Sequence, residues 1–395
     1  MNAVYLKRGR AKPFYYGHPW VFSGSVASVK GDPADGDVVE VLDDRGNFVA
    51  RGFYNRRSQI RVRLATWNPD EAINEGYFER RLRLAVELRE HVLGLPAHTD
   101  AYRVVYSEGD GLPGLIVDRY ADWLVVQLLS VGLTRRREQL LAAMSRVFPS
   151  RSIFERSDSD VHEKEGIEPR VGPLAGAEPP DLVPVTMHGA RLLVDLRHGQ
   201  KTGLFLDHRD NYRAILPYAE GRRVLDCFSY TGGFAIFAKA LGKAAQVVSV
   251  EQSEAAIALA RQNAELNGAS GIEFRQGDVF GELRRLRAEN RTFGLVILDP
   301  PKFARSAADV PNALRGYKDT NLVAMQCLES GGMLVTCSCS HHVNEAMFEA
   351  MLNEAAFDVS REVQVLERRS QGADHPVSVT CPESRYLKCF ICRVL

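Results

Sequence analysis

The feature that most limits what this chain can fold into is the alternation in its C-terminal half. Short apolar runs, Val224 to Phe228, Val247 to Glu251, Ile272 to Gln276 and Leu295 to Leu298, are separated by stretches with helical spacing such as Glu254 to Asn267. Parallel neighbours need a crossover long enough to hold a helix, so this rhythm predicts an open, doubly wound α/β sheet. Leu295-Val296-Ile297-Leu298 has no polar alternation, as expected of a strand covered on both faces. The expected fold class is α/β, with a mostly parallel sheet at the C-terminal end.

At 395 residues the chain exceeds what one core usually spans. Pro169, Pro173, Pro179, Pro180 and Pro184 crowd a segment that can continue neither a helix nor a central strand. A boundary is therefore expected there, giving three domains: 1–68, 69–184 with a linker at 169–184, and 185–395. In the first, short β-type runs (Val38 to Leu42, Phe48 to Gly52, Ile60 to Leu64) alternate with turn signals such as Asp44-Arg45-Gly46. The second opens with Phe78, Leu82, Ala85, Leu88 and Val92 at helical spacing and continues with strands at Tyr102 to Tyr106 and Trp123 to Leu129.

Lysine plus arginine equals aspartate plus glutamate at 50 each, which counts against a nonspecific polyanion binder. The distribution is uneven: residues 1–66 carry eleven basic and six acidic side chains. The apolar runs are far shorter than the roughly 20 residues of a membrane helix, and residues 1–17 lack the apolar core of a secretory signal. A cytoplasmic location without membrane contact is expected. Seven cysteines, an odd number with none before Cys227, do not form a disulfide framework and are expected as thiols.

Ligands of open α/β sheets bind outside the carboxyl ends of the strands. The first such loop, Asp226-Cys227-Phe228-Ser229-Tyr230-Thr231-Gly232-Gly233-Phe234, lacks both the dinucleotide glycine spacing and the P-loop lysine. Hydride and phosphoryl transfer lose ground. Gly232 and Gly233 allow close approach of a ligand, and Glu251 beside Gln252, Asp278 and Asp299 follow the next three strands. An acidic, glycine-bearing, phosphate-poor site suits S-adenosylmethionine, which is cationic and carries no phosphate. The bland account of each acid is a helix cap or turn former.

The apolar strand Met333 to Val335 leads into Thr336-Cys337-Ser338-Cys339-Ser340. A thiolate beside a methyl donor solves a particular problem, since carbon 5 of a pyrimidine becomes nucleophilic only after something adds to carbon 6. Alternation puts Cys337 and Cys339 on one face if the strand persists, so spacing cannot choose between them. Cys337, Cys339, His341, His342 and Cys381 do not have a usual zinc spacing, and no metal is expected. Two other readings stand beside the thiol mechanism: methylation of a guanine or adenine nitrogen at Asp299-Pro300-Pro301-Lys302, and a non-catalytic RNA-binding or assembly factor.

These residues resemble the large ribosomal subunit RNA methyltransferase I family, bacterial 23S rRNA 5-methylcytosine methyltransferases. The resemblance runs through His18-Pro19-Trp20-Val21-Phe22-Ser23-Gly24, Ser107 to Gly114, Gln200-Lys201-Thr202-Gly203 with Leu206-Asp207, Cys227 to Phe234 and Asp299 to Phe303. It continues through Arg315-Gly316-Tyr317-Lys318, Ser338-Cys339-Ser340 and Ala373-Asp374-His375-Pro376. It implies an N-terminal PUA domain, a central α/β domain, and a class I methyltransferase fold whose last strand is antiparallel.

The resemblance further implies Cys339 as nucleophile, with Asp299 and Lys302 in the catalytic loop and Glu383 as candidate proton acceptor. Lys201, Thr202 and Asp207 are implied as a flap over the donor, joining Asp226, Phe228, Ser229, Thr231, Gly232, Gly233, Glu251, Gln252, Asp278 and Asp299. Lys7, Arg8, Arg10, Lys12, Arg56, Arg57 and Arg61 become an RNA-facing surface. The implied substrate is 23S rRNA in a protein-poor or early assembly form, with cytosine at nucleotide 1962 as target, and a homodimer is compatible with it.

Overall fold

The computed structural model describes residues 2–149, 151–158 and 161–395. The chain divides into two compact units. One comprises Met1–Val185, Val194–Leu206 and Ala373–Ser384; the other comprises Thr186–Leu193, Asp207–Gly372 and Arg385–Leu395.

The first unit holds two sheets. Its six-stranded sheet is built from Ala3–Leu6, Trp20–Phe22, Val26–Lys30, Val38–Leu42, Phe48–Tyr54 and Ile60–Thr66, and Ala3–Leu6 runs parallel to Val38–Leu42 while the other pairs are antiparallel. Val4, Val21, Val41, Val62 and Leu64 form its core. The second sheet orders Arg170–Ala175, Ser152–Ser157, Trp123–Leu128, Leu115–Tyr120 and Ala101–Tyr106 side by side, and Glu75–Glu87 and Arg137–Val147 share its core. The proline-rich stretch is thus not merely a linker: Arg170–Ala175 is a strand. Pro173 is tolerated because the strand lies at the sheet edge, and the partner strand's register shifts between Ile153 and Phe154, where Phe154 faces Pro173.

The large sheet of the second unit has seven strands, β1 (Arg223–Cys227), β2 (Gln246–Glu251), β3 (Ile272–Gln276), β4 (Phe293–Leu298), β5 (Leu328–Ser338), β6 (Val363–Arg369) and β7 (Lys388–Val394). They lie in the order β3-β2-β1-β4-β5-β7-β6. The first five are parallel, and β7 inserts antiparallel between β5 and β6. Helices α1 (Arg209–Ala214), α2 (Gly233–Ile236), α3 (Glu254–Leu266), α4 (Val279–Ala288), α5 (Val310–Gln326) and α6 (Glu345–Asp358) accompany the sheet. Ser253, Asp278 and Asn344 start α3, α4 and α6 by accepting the backbone N–H three residues on. Every residue of β4 is buried. No helix among the described residues is long and apolar enough to cross a membrane.

Arg361 closes the end of the sheet remote from the site. Its guanidinium donates to the carbonyls of Met325, Leu328, Glu329, Val394 and Leu395 at 2.7–3.1 Å, tying the turn between α5 and β5 to the last residues of the chain. Substituting Arg361→Met leaves these acceptors without their charged donor and is expected to cost about 3 kcal/mol of stability, measured by urea unfolding. A loss under about 0.5 kcal/mol would show that solvent replaces the guanidinium.

Candidate active site

β1 and β4 are neighbours whose connections leave in opposite directions, and the loop after β1 rises at this switch point. Phe228, Tyr230 and Gly232 take positive φ values of 63°, 48° and 83°. For Phe228 and Tyr230 this is a strained conformation, held by hydrogen bonds from Ser229 N–H to the Val250 carbonyl (3.1 Å) and from Tyr230 N–H to Glu251 Oε2 (2.8 Å). Ser249 Oγ donates to Ser229 Oγ, and the Thr231 carbonyl accepts from Asn263. Gly233 has a different use from the one expected. A Cβ there would stand 2.7 Å from the Tyr212 ring, so the glycine admits an aromatic side chain of the protein against the loop.

The four acids differ in environment. Asp226 is fully buried; its Oδ2 accepts the Ala235 N–H at 3.0 Å, while Oδ1 has no hydrogen-bond partner. Burial pushes its carboxyl well above the ordinary range. A buried carboxylate oxygen left over beside a glycine turn calls for a cationic or N–H-bearing ligand, and S-adenosylmethionine has an ammonium to offer. The residues present therefore fit that cofactor. Glu251 is half-buried and accepts from the backbone of Tyr230, Gln252 and Ser253, which fixes its carboxylate at the end of β2, where ribose hydroxyls are bound in such sheets. Asp278 is exposed and caps α4 through Gly281 N–H at 2.8 Å, so the bland account holds for one of its oxygens. Gln252 is exposed.

Asp299, just past β4, pairs through Oδ1 with His208 Nε2 at 3.2 Å. His208 stacks on Tyr212, which packs edge-on against Phe234. A second aromatic run, Phe228, Phe280, Phe303 and Tyr317, has successive centroids 4.7–6.3 Å apart. Sequence reasoning singled out neither His208, Tyr212 nor Phe280. The available signal was their position beside Asp207, Gly233 and Asp278.

β5 ends at Ser338, and the chain turns. Ser338 Oγ donates to the Tyr317 hydroxyl at 3.0 Å, and that hydroxyl lies 3.0 Å from Ser340 Oγ. Ala304 N–H also donates to Ser340 Oγ at 3.2 Å, joining the Asp299–Phe303 loop to this turn. Both serines are buried and Cys339 between them is half-buried. Cys337 is fully buried, facing Cys389 across the β5–β7 register, and its donor atom lies within 4.8 Å of those of His208 and Asp299. Burial raises the Cys337 thiol well above its ordinary value. All seven cysteines are thiols.

Several named residues have other surroundings. Lys201 and Thr202 belong to the first unit. Lys201 is exposed with its ammonium over the Phe205 ring, while Thr202 is buried, donating to Asp118 at 2.6 Å and meeting the Tyr120 hydroxyl at 2.9 Å. Glu383 also lies in the first unit, facing His18 Nε2 at 3.5 Å and Cys381 Sγ at 3.6 Å. Asp207 is buried in the second unit and accepts from the Tyr386 hydroxyl. Lys302 is exposed.

On the six-stranded sheet's domain, Arg56 pairs with Asp32, Arg57 stands near Asp35, and Arg61 donates to the carbonyls of Asn55 and Arg56. Lys7, Arg8, Arg10 and Lys12 are exposed, and Arg8 and Lys12 line a concavity of about 510 Å³ with Tyr15, Tyr16, Asp43, Asp44 and Arg45. Tyr15 and Tyr16, 48% and 70% exposed, escaped the sequence reading although they stand among basic residues.

Burial disfavours the His208 cation, but Asp299 more than compensates and lifts its pKa to about 9. A histidine raised above its unfolded value contributes stability in full below about pH 6.5, and loses it as pH rises through about 9. Between those limits the unfolding free energy is expected to fall by about 3 kcal/mol more in the parent than in His208→Gln. Parallel pH profiles of the two proteins in urea melts would show that the pair does not form.

The comparisons agree with this architecture. A PUA-like domain model matches residues 4–67, and an S-adenosylmethionine-dependent methyltransferase model matches residues 168–381. The ribosomal RNA large subunit methyltransferase I of Erwinia tasmaniensis is 47% identical over 392 residues, covering 99% of this chain and 98% of the relative. That of Escherichia coli K12 is 45% identical with the same coverage. A methyltransferase solved in complex with SAH superposes over both whole chains with a TM-score of 0.87 at 22% identity, and an S-adenosylmethionine-dependent methyltransferase from Streptococcus mutans gives 0.85 at 22%, also over both whole chains. With its strand order, its acidic cofactor loop and these relatives, the chain belongs to the ribosomal RNA large subunit methyltransferase I family and is an S-adenosylmethionine-dependent enzyme.

Proposed function

We propose that this protein methylates carbon 5 of a cytosine in 23S rRNA, at nucleotide 1962, through a covalent adduct with Cys339. The observation that carries the reading is the turn in which Ser338 and Ser340 both point inward to Tyr317 and leave the thiol between them half-buried, the least enclosed of the seven. Through Ser340 and Ala304 that turn is tied to the loop of Asp299, one of the acids at the cofactor end of the sheet. Amine methylation has no use for such a thiol.

Bound S-adenosylmethionine supplies an electrophilic methyl group. Asp226, Glu251 and Asp278 would hold it, with Phe228 and Phe280 offering flat apolar faces to the adenine. The Cys339 thiolate adds to carbon 6 of the cytosine; the carbon 5–carbon 6 π pair moves toward carbon 5, which becomes the nucleophile. After methylation, the carbon 5 proton passes to solvent water and leaves its electron pair to the ring, the double bond re-forms, and the carbon–sulfur bond breaks with both electrons on sulfur. The base must leave its stack to reach Cys339, so a single-stranded or protein-poor rRNA is the expected substrate.

Labelled-methyl transfer to rRNA lacking the modification tests the mechanism. Cys339→Ala is expected to lose at least about a thousandfold in kcat, as removal of a nucleophile does, while Cys337→Ala stays within a few fold. Turnover by Cys339→Ala within tenfold of the parent would sink the covalent route and favour a nitrogen target. Nucleoside mass spectrometry of the product reads the modified atom directly.

For RNA binding, Tyr15 and Tyr16 are read as stacking platforms among phosphate-contacting Lys7, Arg8, Arg10 and Lys12. Tyr16→Ala is expected to weaken rRNA binding about tenfold, from about 1 to 3 kcal/mol per stacked base. Lys12→Ala should reduce the slope of log affinity against log salt by about one. Unchanged values in both would move the interface elsewhere on the domain.

A further inference from the structure

We propose that Lys388 is a positioning residue for the proposed nucleophile: its buried ammonium braces the Ser338–Ser340 turn from β7 and holds Cys339 as the thiolate. The inference rests on the reading of Cys339 as nucleophile and deepens it.

Lys388 opens β7 and stands opposite Ser338 in the antiparallel register with β5. It is 5% exposed. Its Nζ donates to the Ser340 carbonyl at 2.7 Å and to the Tyr386 carbonyl at 2.8 Å. These bonds place a cation against the turn whose middle residue is Cys339. No carboxylate forms an ion pair with Lys388 among the described residues, and neutral carbonyls alone compensate poorly for taking an ammonium out of water.

Burial accordingly lowers the Lys388 pKa to about 8, and the foremost group opposing that fall is the Cys339 sulfur, ahead of Glu345; Arg385 and Lys302 act the other way. Coupling between two titrating groups is mutual, so the charge that Cys339 lends to Lys388 is returned to the thiolate. Tyr317 on α5 and Cys337 on β5 also feel the Cys339 charge. His341, two residues past Cys339, lies tilted against Tyr386 with ring centroids 5.5 Å apart. Lys388 supplies a cation on the β7 side of this turn. In the step it serves, the thiol proton goes to solvent and the sulfur lone pair forms the bond to carbon 6; no bond to Lys388 is made or broken.

The test is alkylation of Cys339 by iodoacetamide as a function of pH, read by peptide mass spectrometry on the full-length protein and on the same chain unfolded in urea. The native midpoint is expected about one unit or more below the unfolded one, whose ordinary value is about 8.5. Lys388→Met should raise the native midpoint by about a unit, making alkylation at pH 7 about tenfold slower, and Lys388→Arg should keep it low. The acid limb of kcat should move with the midpoint in Lys388→Met, with KM for rRNA unchanged. A native midpoint at or above the unfolded one overturns the proposal. So does a Lys388→Met curve that superimposes on the parent, or a Lys388→Arg shift equal to that of Lys388→Met. If Lys388→Met does not fold, the comparison of parent with unfolded chain decides alone. Because alkylation needs no turnover, its failure is distinct from an active Cys339→Ala enzyme, which would remove the covalent mechanism and leave the lysine–thiol pair standing.

Discussion

The insertion of β7 between β5 and β6 is the constraint on which the second unit's chemistry depends. It brings the last residues of the chain beside a strand some fifty positions earlier, and fixes Ser338 against Lys388 and Cys337 against Cys389. The antiparallel direction matters. Were β7 parallel, its first residue would lie at the other end of β5, and Lys388 would not reach the turn that follows Ser338. At that other end Arg361 gathers the carbonyls of Val394 and Leu395 with those of Met325, Leu328 and Glu329, so the insertion is held at both extremities. Phe390 between them packs on Phe348 of α6, adding the apolar middle.

Much of the fold was legible because its signals are local. An unbroken apolar run such as Leu295 to Leu298 cannot alternate faces, and a strand covered on both sides followed by a helix-length stretch leaves few architectures. The acids at the carboxyl ends of β1 to β4 could be located for the same reason, since a residue's position along a parallel strand decides which end of the sheet it occupies. What could not be read depends on contacts between distant residues. Gly233 is bare because Tyr212 needs the space, and Thr202 turns to Asp118 and Tyr120, more than eighty residues before it. Pro173 sits in a strand because that strand is at an edge, a property of the sheet and not of the segment. Lys388 in an apolar terminal run gave no sign that its ammonium would be buried against a backbone carbonyl.

The two thiols that spacing left equivalent differ in burial. Alternation would place Cys337 and Cys339 alike only if β5 continued, and it stops at Ser338 because the hydroxyls on either side of Cys339 are engaged by Tyr317. Cys337 remains in the ladder, pressed on Cys389, where burial favours the neutral thiol. A thiol held neutral by its surroundings is a packing group, since the thiolate is the reactive form and burial in apolar surroundings suppresses it. Cys339 lies beyond the last ladder pair, half-buried, in the turn that Lys388 braces. Two cysteines two residues apart thus differ in burial, one inside the ladder and one just past its end, where a tyrosine hydroxyl is shared by the two flanking serines.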